Sequence, residues 1–358
     1  MSSEQPAQPY RAHVDALLKH WNELTVFPPA RQPKGPWVKH DPIPQRAFLL
    51  FSRWVENPMA RALEQALPEW ARDRVTVPDG REDYAPFLLE LPDEQILAAP
   101  TLESEALCDW LARCLETAAQ QVQRRTIAQD FCGVVLSAAP ARTIVRHWVG
   151  LGAQRRPYRP DTDEPAMFRY HDARVMQRMW PALVPAQQLQ WLGPVTHWWS
   201  LQQPWGPFNK DELVEPLPWF HAQAPAHGEY SEQASTPGSR LPADLFDTDQ
   251  WFLAGLSPRA NAIWRSYAEN GVAPDNQPDV HTLTQMLADA ARLDFKGDDL
   301  ENYVWTTWLD APEEGSPHAM DWTLPHTAPV LARIQEAMQK NIDTSFLREL
   351  NRFVQFKE

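Results

Sequence analysis

Glycine, cysteine and long apolar runs are all in short supply in this chain. It has 13 Gly in 358 residues. No GxxxxGK[ST] phosphate loop, no GxGxxG fingerprint and no GxSxG elbow occurs, which removes the glycine-dependent routes to nucleotide binding and serine hydrolysis. HExxH is missing too. The three cysteines, Cys108, Cys114 and Cys132, are odd in number and lack metal-like spacing. That excludes a disulfide framework and fits buried thiols in a reducing compartment. No stretch reaches the roughly 18 apolar residues of a spanning helix. The opening MSSEQPAQPYRAH has no apolar signal-peptide core, so a cytoplasmic protein without membrane insertion is expected. Basic charge is also scarce. The net charge of −14 argues against nucleic acid as a partner, since phosphates need a basic face.

Proline and tryptophan, in contrast, are abundant, at 35 and 17 residues. The first predicts stiff, extended connections. The second exceeds ordinary core needs and hints at partner surface, because Trp is enriched at interface hot spots. Acidity is uneven: from Asp244 onward there are 19 acidic against 9 basic side chains, and before it 28 against 24. An acidic C-terminal third is a solvated surface or a face for a basic partner.

Apolar periodicity predicts the elements. Val14, Leu17, Leu18, Trp21 and Leu24 mark a helix over 10–25, followed by the Pro-rich arm PPARQPKGPWVKHDPIP. RAFLLFSRW and YAPFLLEL read as strands, with a helix opened by Asn57-Pro58 between them. A helix is predicted from Leu102 to about Val122, then DFCGVVLSA as a buried strand, ARTIVRHWVGL as a helix, and MFRYHDARV as a strand entering a turn. VMQRMWPAL and PAQQLQWLGPVTHWW are expected as helices, the latter broken at Gly193-Pro194. The expected organisation is an N-terminal helix and arm over 1–45, an α/β lobe with a small, mainly covered sheet over 46–205, a Pro-rich linker over 206–245, and an all-α, acidic lobe over 246–358. The early part of that linker carries Trp and Phe suited to packing on the lobe, and 222–243 reads as flexible.

Residue by residue, no catalytic constellation emerges. His171 and Asp172 are adjacent, and neighbours on a strand point to opposite faces. A hydrolase built on this pair is the alternative reading, and a Trp-based carbohydrate-binding module a second one. His40, His147, His171, His197 and His221 are scattered without ligand spacing, so neither a metal nor a cofactor is expected. Ser137 ends a strand without a Gly-rich turn and reads as the cap of the next helix. The pairs Asp298-Asp299 and Glu313-Glu314 are expected in solvated loops.

One block is denser in information. Arg169 and Arg174 bracket Asp172, a set able to fix a turn by charge-assisted hydrogen bonds, with Asp172 also placed to cap the helix near Ala173. Ser137, His147, Phe168, Arg169, Tyr170, Asp172, Arg174 and Val175, followed by Gly193, Pro194, Val195 and Trp198, together resemble the type VI secretion adaptor family, the Tap or TEC chaperones (domain-of-unknown-function family 4123). In that pattern a strand-end Ser and a helix His precede an FRYYDPRVL-like turn and an FGPV-W segment. His171 here stands where a second aromatic is usual, and Ala173 where Pro is usual. The resemblance covers about 46–200. It implies a non-enzymatic adaptor that binds a type VI secretion effector and helps load it on the valine–glycine repeat spike protein (VgrG). The matched block would be scaffold. Cargo would be gripped by the acidic helical lobe, with Trp251, Trp264, Trp305 and Trp308 as candidate anchors.

Overall fold

The computed structural model describes residues 10–26, 45–66, 68, 71, 73–77, 85–91, 102–125, 129–154, 166–167, 169–209, 216–225, 245–293, 295, 297–309, 322, 327–340, 344–346 and 348–350. The Pro-rich arm before Gln45, the expected flexible stretch from 226, Glu313-Glu314 and Phe168 lie outside them. The chain divides into one unit of residues 1–204 and 213–257 and another of 205–212 and 258–358.

The first unit is built on a six-stranded antiparallel sheet of order β2-β3-β1-β4-β7-β8. Its strands are β1 (Arg46–Phe51), β2 (Val75–Thr76), β3 (Phe87–Glu90), β4 (Phe131–Ser137), β7 (Val195–Leu201) and β8 (Trp219–Gln223). A separate two-stranded ribbon pairs β5 (Ala153–Gln154) with β6 (Ala166–Met167). Apart from Arg46 at the start of β1 and Ser137 at the end of β4, these two strands are continuous apolar runs because the sheet is covered on both faces. Leu49, Phe51, Phe87, Leu89, Val134, Leu136 and Trp199 face α1 (Arg11–Val26), α2 (Pro58–Ala66) and α3 (Leu102–Gln123). Phe48, Leu50, Leu88, Val135 and Trp198 face α4 (Ala141–Gly152), α5 (Ala173–Met179) and α6 (Pro185–Leu192), together with Leu245, Phe246 and Trp251.

The helices form where the sequence puts apolar residues three and four apart. Tyr10, Val14, Leu17 and Trp21 give α1 its buried stripe, and Leu107, Trp110, Leu111, Cys114, Leu115 and Ala118 that of α3. The Asn57 side chain accepts from the N–H groups of Met59 and Ala60 at 2.9 and 3.3 Å, and so opens α2.

Three expectations for the first unit change. The chain after Gly193-Pro194, expected to belong to a helix broken at that point, is the inner strand β7. Strand β8 lies inside the stretch expected to be linker; it is an edge strand on which only Ala222 is buried, so its apolar pattern is weak. Among the described residues of MFRYHDARV only Met167 is strand, and the Asp172 N–H donates to the Arg169 carbonyl at 3.1 Å and closes a turn there.

The second unit is helical where described. It holds the C-terminal part of α7 (Thr248–Glu269), then α8 (Val280–Arg292), α9 (Asp298–Leu309) and α10 (Ala328–Lys340). Asp279 caps α8 by accepting from the Thr282 N–H at 2.7 Å. Its core includes Trp264, Tyr267, Leu283, Leu287, Val304, Ile334 and Phe346. Asp298 and Asp299, expected in a loop, occupy the first turn of α9, where the positive end of the helix favours them. Asp299 also accepts from the Phe346 N–H at 2.8 Å.

The sheet carries a bulge at its centre. Pairing of β1 with β4 slips between Leu50 and Phe51, opposite Gly133 and Phe131. Gly133 has φ +143°, and a Cβ there would lie 2.3 Å from the Trp199 carbonyl oxygen and 2.5 Å from the Trp198 indole nitrogen. Gly133→Ala is therefore expected to cost roughly 2–4 kcal/mol. Gly255→Ala, in α7 with open space around the new methyl, should instead stabilise by about 0.5–1 kcal/mol. Urea unfolding midpoints of the two variants check both signs.

Candidate functional site

The residues singled out in 131–199 converge around β4 and β7. Ser137, at the end of β4, donates its hydroxyl proton to the Pro194 carbonyl at 2.6 Å and accepts from the Ala139 N–H at 3.0 Å. It is fully buried, and it ties β4 to the turn before β7 instead of capping α4. His147, on α4, lies 2.8 Å from the Gln190 carbonyl through Nε2. A carbonyl only accepts, so that nitrogen carries the proton. Burial lowers the His147 pKa, and its backbone hydrogen bonds only partly offset this. Gly193 sits against the same ring: its φ is +58°, and an added Cβ would lie 2.3 Å from the imidazole. Four matched residues thus form one junction between α4, the C-terminus of α6 and β7.

Trp198 donates its indole proton to the Cys132 carbonyl at 3.2 Å, the contact for which Gly133 makes room. It packs against Trp148 at 6.1 Å, and Trp148 against Tyr170 at 5.5 Å. Asp172 is the N-cap of α5 and accepts from the Arg174 N–H at 3.0 Å. Its two oxygens also take the Arg174 guanidinium at 2.9 and 2.6 Å. Both side chains are buried, at 7% and 3% exposure. Burial pushes the carboxyl pKa up, but the guanidinium outweighs this and the net shift is downward. The expected two-arginine bracket is corrected. Arg174 alone supplies a guanidinium to Asp172 among the described residues, while Arg169 is exposed and contributes its carbonyl. Deeper on the same side, Gln177 donates to the Ser200 hydroxyl and the Leu201 carbonyl at 2.9 and 2.8 Å and accepts from the Gln203 N–H.

This arrangement is poorly suited to nucleophilic chemistry. The Ser137 hydroxyl is committed to a carbonyl, and burial holds the Cys114 and Cys132 thiols well above their usual pKa, away from the reactive thiolate. His171 stacks edge-on against Tyr170 at 5.2 Å, while the Asp172 oxygens turn to Arg174. The tryptophans proposed as anchors divide. Trp251 is core of the first unit, and Trp264 is core of the second, its indole donating to the Pro278 carbonyl at 2.8 Å. Trp305 and Trp308 are half-buried: Trp305 stacks on Tyr267 at 4.5 Å, and Trp308 donates to the Asn276 carbonyl at 2.7 Å.

A second cluster escaped sequence reasoning. His197 and His221, far apart in the chain, meet across β7 and β8 with Nδ1 and Nε2 3.0 Å apart, and His20 of α1 joins them. Trp199 lies beneath: its ring is parallel to His221 at 4.5 Å and 4°, and to His197 at 5.2 Å and 13°. Burial, reinforced by the neighbouring histidines, pulls the pKa values of His197 and His221 down to about 4. Both rings are therefore neutral near pH 7. The signal available in sequence was the two strand fragments HWW and WFH, but His20 belongs to a helix and no spacing links it to them.

A two-faced antiparallel sheet, locked by a glycine bulge, a serine tether and a buried acid–base pair, defines the first unit as a helix-covered α/β platform. Residues 47–190 match the family model DUF4123, a domain of unknown function. The match runs from β1 into α6 and leaves β7, β8 and the helical unit outside. No curated protein and no solved structure gives a significant match.

Asp172→Asn removes the charge partner of a buried guanidinium and is expected to cost roughly 3–5 kcal/mol. Because the folded-state pKa of Asp172 is depressed, its contribution is complete above the unfolded value of 3.8 and is lost as pH falls through the lower folded value. Denaturant melts between neutral and strongly acidic pH should show an acid-side loss of stability in the parent chain that is shallower in Asp172→Asn.

Proposed function

We propose that this protein is a non-enzymatic adaptor of type VI secretion: it binds an effector in the cytoplasm and helps load it on the VgrG spike. The DUF4123 domain over residues 47–190 is the observation that carries the reading. Supporting it, the motif residues in that domain hold the fold together and leave no reactive group presented: Ser137, His147, Asp172 and Arg174 are each engaged within the unit. Among the described residues no helix is long and apolar enough to cross a membrane, which agrees with a protein working at a soluble assembly.

Recognition then falls to other surfaces. The helical unit is the better candidate for cargo, because acidity concentrates after Asp244 and half-buried aromatics remain at Trp305 and Trp308. Trp251 and Trp264 serve the cores and are withdrawn as anchors. The same burial weakens the carbohydrate-binding alternative, and the engagement of Asp172 with Arg174 weakens the hydrolase one.

The test is capture of an effector encoded beside this gene by the full-length chain. Trp308→Ala and Trp305→Ala should each weaken capture about tenfold or more, as truncation of an interface aromatic typically does, with circular dichroism checking that each variant remains folded. Undiminished capture by both variants would remove the helical unit as the grip. Failure of the parent chain to bind any co-encoded effector or the spike would remove the adaptor reading.

A further inference from the structure

The three-histidine cluster is used by nothing described above. His197 and Trp199 are two apart on β7 and so share a face. Trp199 is directly opposite His221 on β8, while His197 is opposite Gln223, so the two histidines are diagonal neighbours on one face of the sheet. That face is the one α1 covers, since Leu17 and Trp21 of α1 share a core cluster with Trp199 and Leu201. His20 reaches the same spot, its ring edge-on to His197, Trp199 and His221 at 6.2, 5.3 and 5.9 Å. One ring nitrogen from each histidine lies within 4.8 Å of the others.

From this geometry we infer that His20, His197 and His221 form a binding site for a divalent transition-metal ion of the zinc class, which pins α1 to strands β7 and β8. Zinc takes imidazole nitrogens at about 2.0–2.1 Å in tetrahedral geometry, which sets them about 3.3 Å apart around the ion. His197 and His221 already stand at 3.0 Å with near-parallel rings 5.2 Å apart, and a tilt of each ring turns its facing nitrogen from its neighbour to a shared ion. His20 sits on a helix face that is partly exposed, and its ring nitrogen, within 4.8 Å of the other two, supplies the third ligand. An all-imidazole set selects zinc, copper, nickel or cobalt over magnesium and calcium, which require oxygen ligands. The Trp199 ring forms a rigid floor that orients both strand histidines. His221 is exposed, which gives the ion an entry path and leaves the fourth position to water. The competing account is a simple N–H···N hydrogen bond between His197 and His221, which needs neither His20 nor a metal.

The test uses the full-length chain, purified with a histidine-free tag and stripped with chelator. Zn²⁺ is titrated against a chromophoric competitor, and Co²⁺ binding is followed by its visible ligand-field spectrum. Expected are one tight equivalent per chain, a tetrahedral Co²⁺ spectrum, and a Zn²⁺-dependent rise in melting temperature. His20→Gln, His197→Gln and His221→Gln should each weaken binding by about tenfold or more, whereas His281→Gln on α8 should not. His221 is exposed, so its variant keeps the fold and remains informative if the others do not. Binding that is no tighter in the parent than in His20→Gln and His221→Gln, or the absence of a stoichiometric equivalent, would overturn the site and leave the hydrogen-bonded pair.

Discussion

The close approach of β7 to β4 at Gly133 is the constraint on which the rest of the first unit depends. A residue with a side chain at that point would meet both the Trp199 carbonyl and the Trp198 indole. With glycine there, the strands close and Trp198 donates to the Cys132 carbonyl. Trp198 then carries Trp148, and through it Tyr170, on one face. On the other face the neighbouring Trp199 carries His197 and His221. One bulge thereby sets the layout of both cores.

Polar groups then fix what apolar burial alone leaves loose. Hydrophobic packing is non-directional, and many slips of β7 against β4 would bury similar area. The Ser137 hydroxyl on the Pro194 carbonyl, the His147 imidazole on the Gln190 carbonyl and the Asp172–Arg174 pair each admit one geometry. Buried polar groups are costly when unpaired, so the Ser137–Pro194 bond pins β4 against β7, the His147–Gln190 bond fixes α4 against α6, and the Asp172–Arg174 pair fixes the turn into α5. This explains why the residues carrying the family resemblance are spread over four elements yet are mutually packed, and why they offer so little to a substrate.

Much of this was legible in the sequence. Helix periodicity located α1, α3 and α4, whose apolar stripes are long, and marked 246–358 as helical. RAFLLF and FCGVVLS were readable as strands because a sheet covered twice writes continuous apolar runs. The Asp172 cap and its pairing with Arg174 followed from spacing, but the role of Arg169 did not, since a turn exposes one side chain and keeps only its carbonyl. Strand β8 was hidden because an edge strand with one buried residue has almost no pattern. The histidine cluster was hidden for a different reason: it is assembled from a helix and two strands, and only the sheet register makes His197 and His221 neighbours. Likewise, a Trp count cannot separate the core residues Trp251 and Trp264 from the half-buried Trp305 and Trp308.

The central claim is that the motif residues brace a platform while recognition lies elsewhere. Amide hydrogen exchange on the full chain, free and with its effector bound, tests it most directly. The account predicts that β4, β7 and residues 172–179 are already among the slowest to exchange in the free protein, and that added protection on binding falls outside them. Rapid exchange of those segments in the free chain, with protection gained there only when the partner binds, would contradict it.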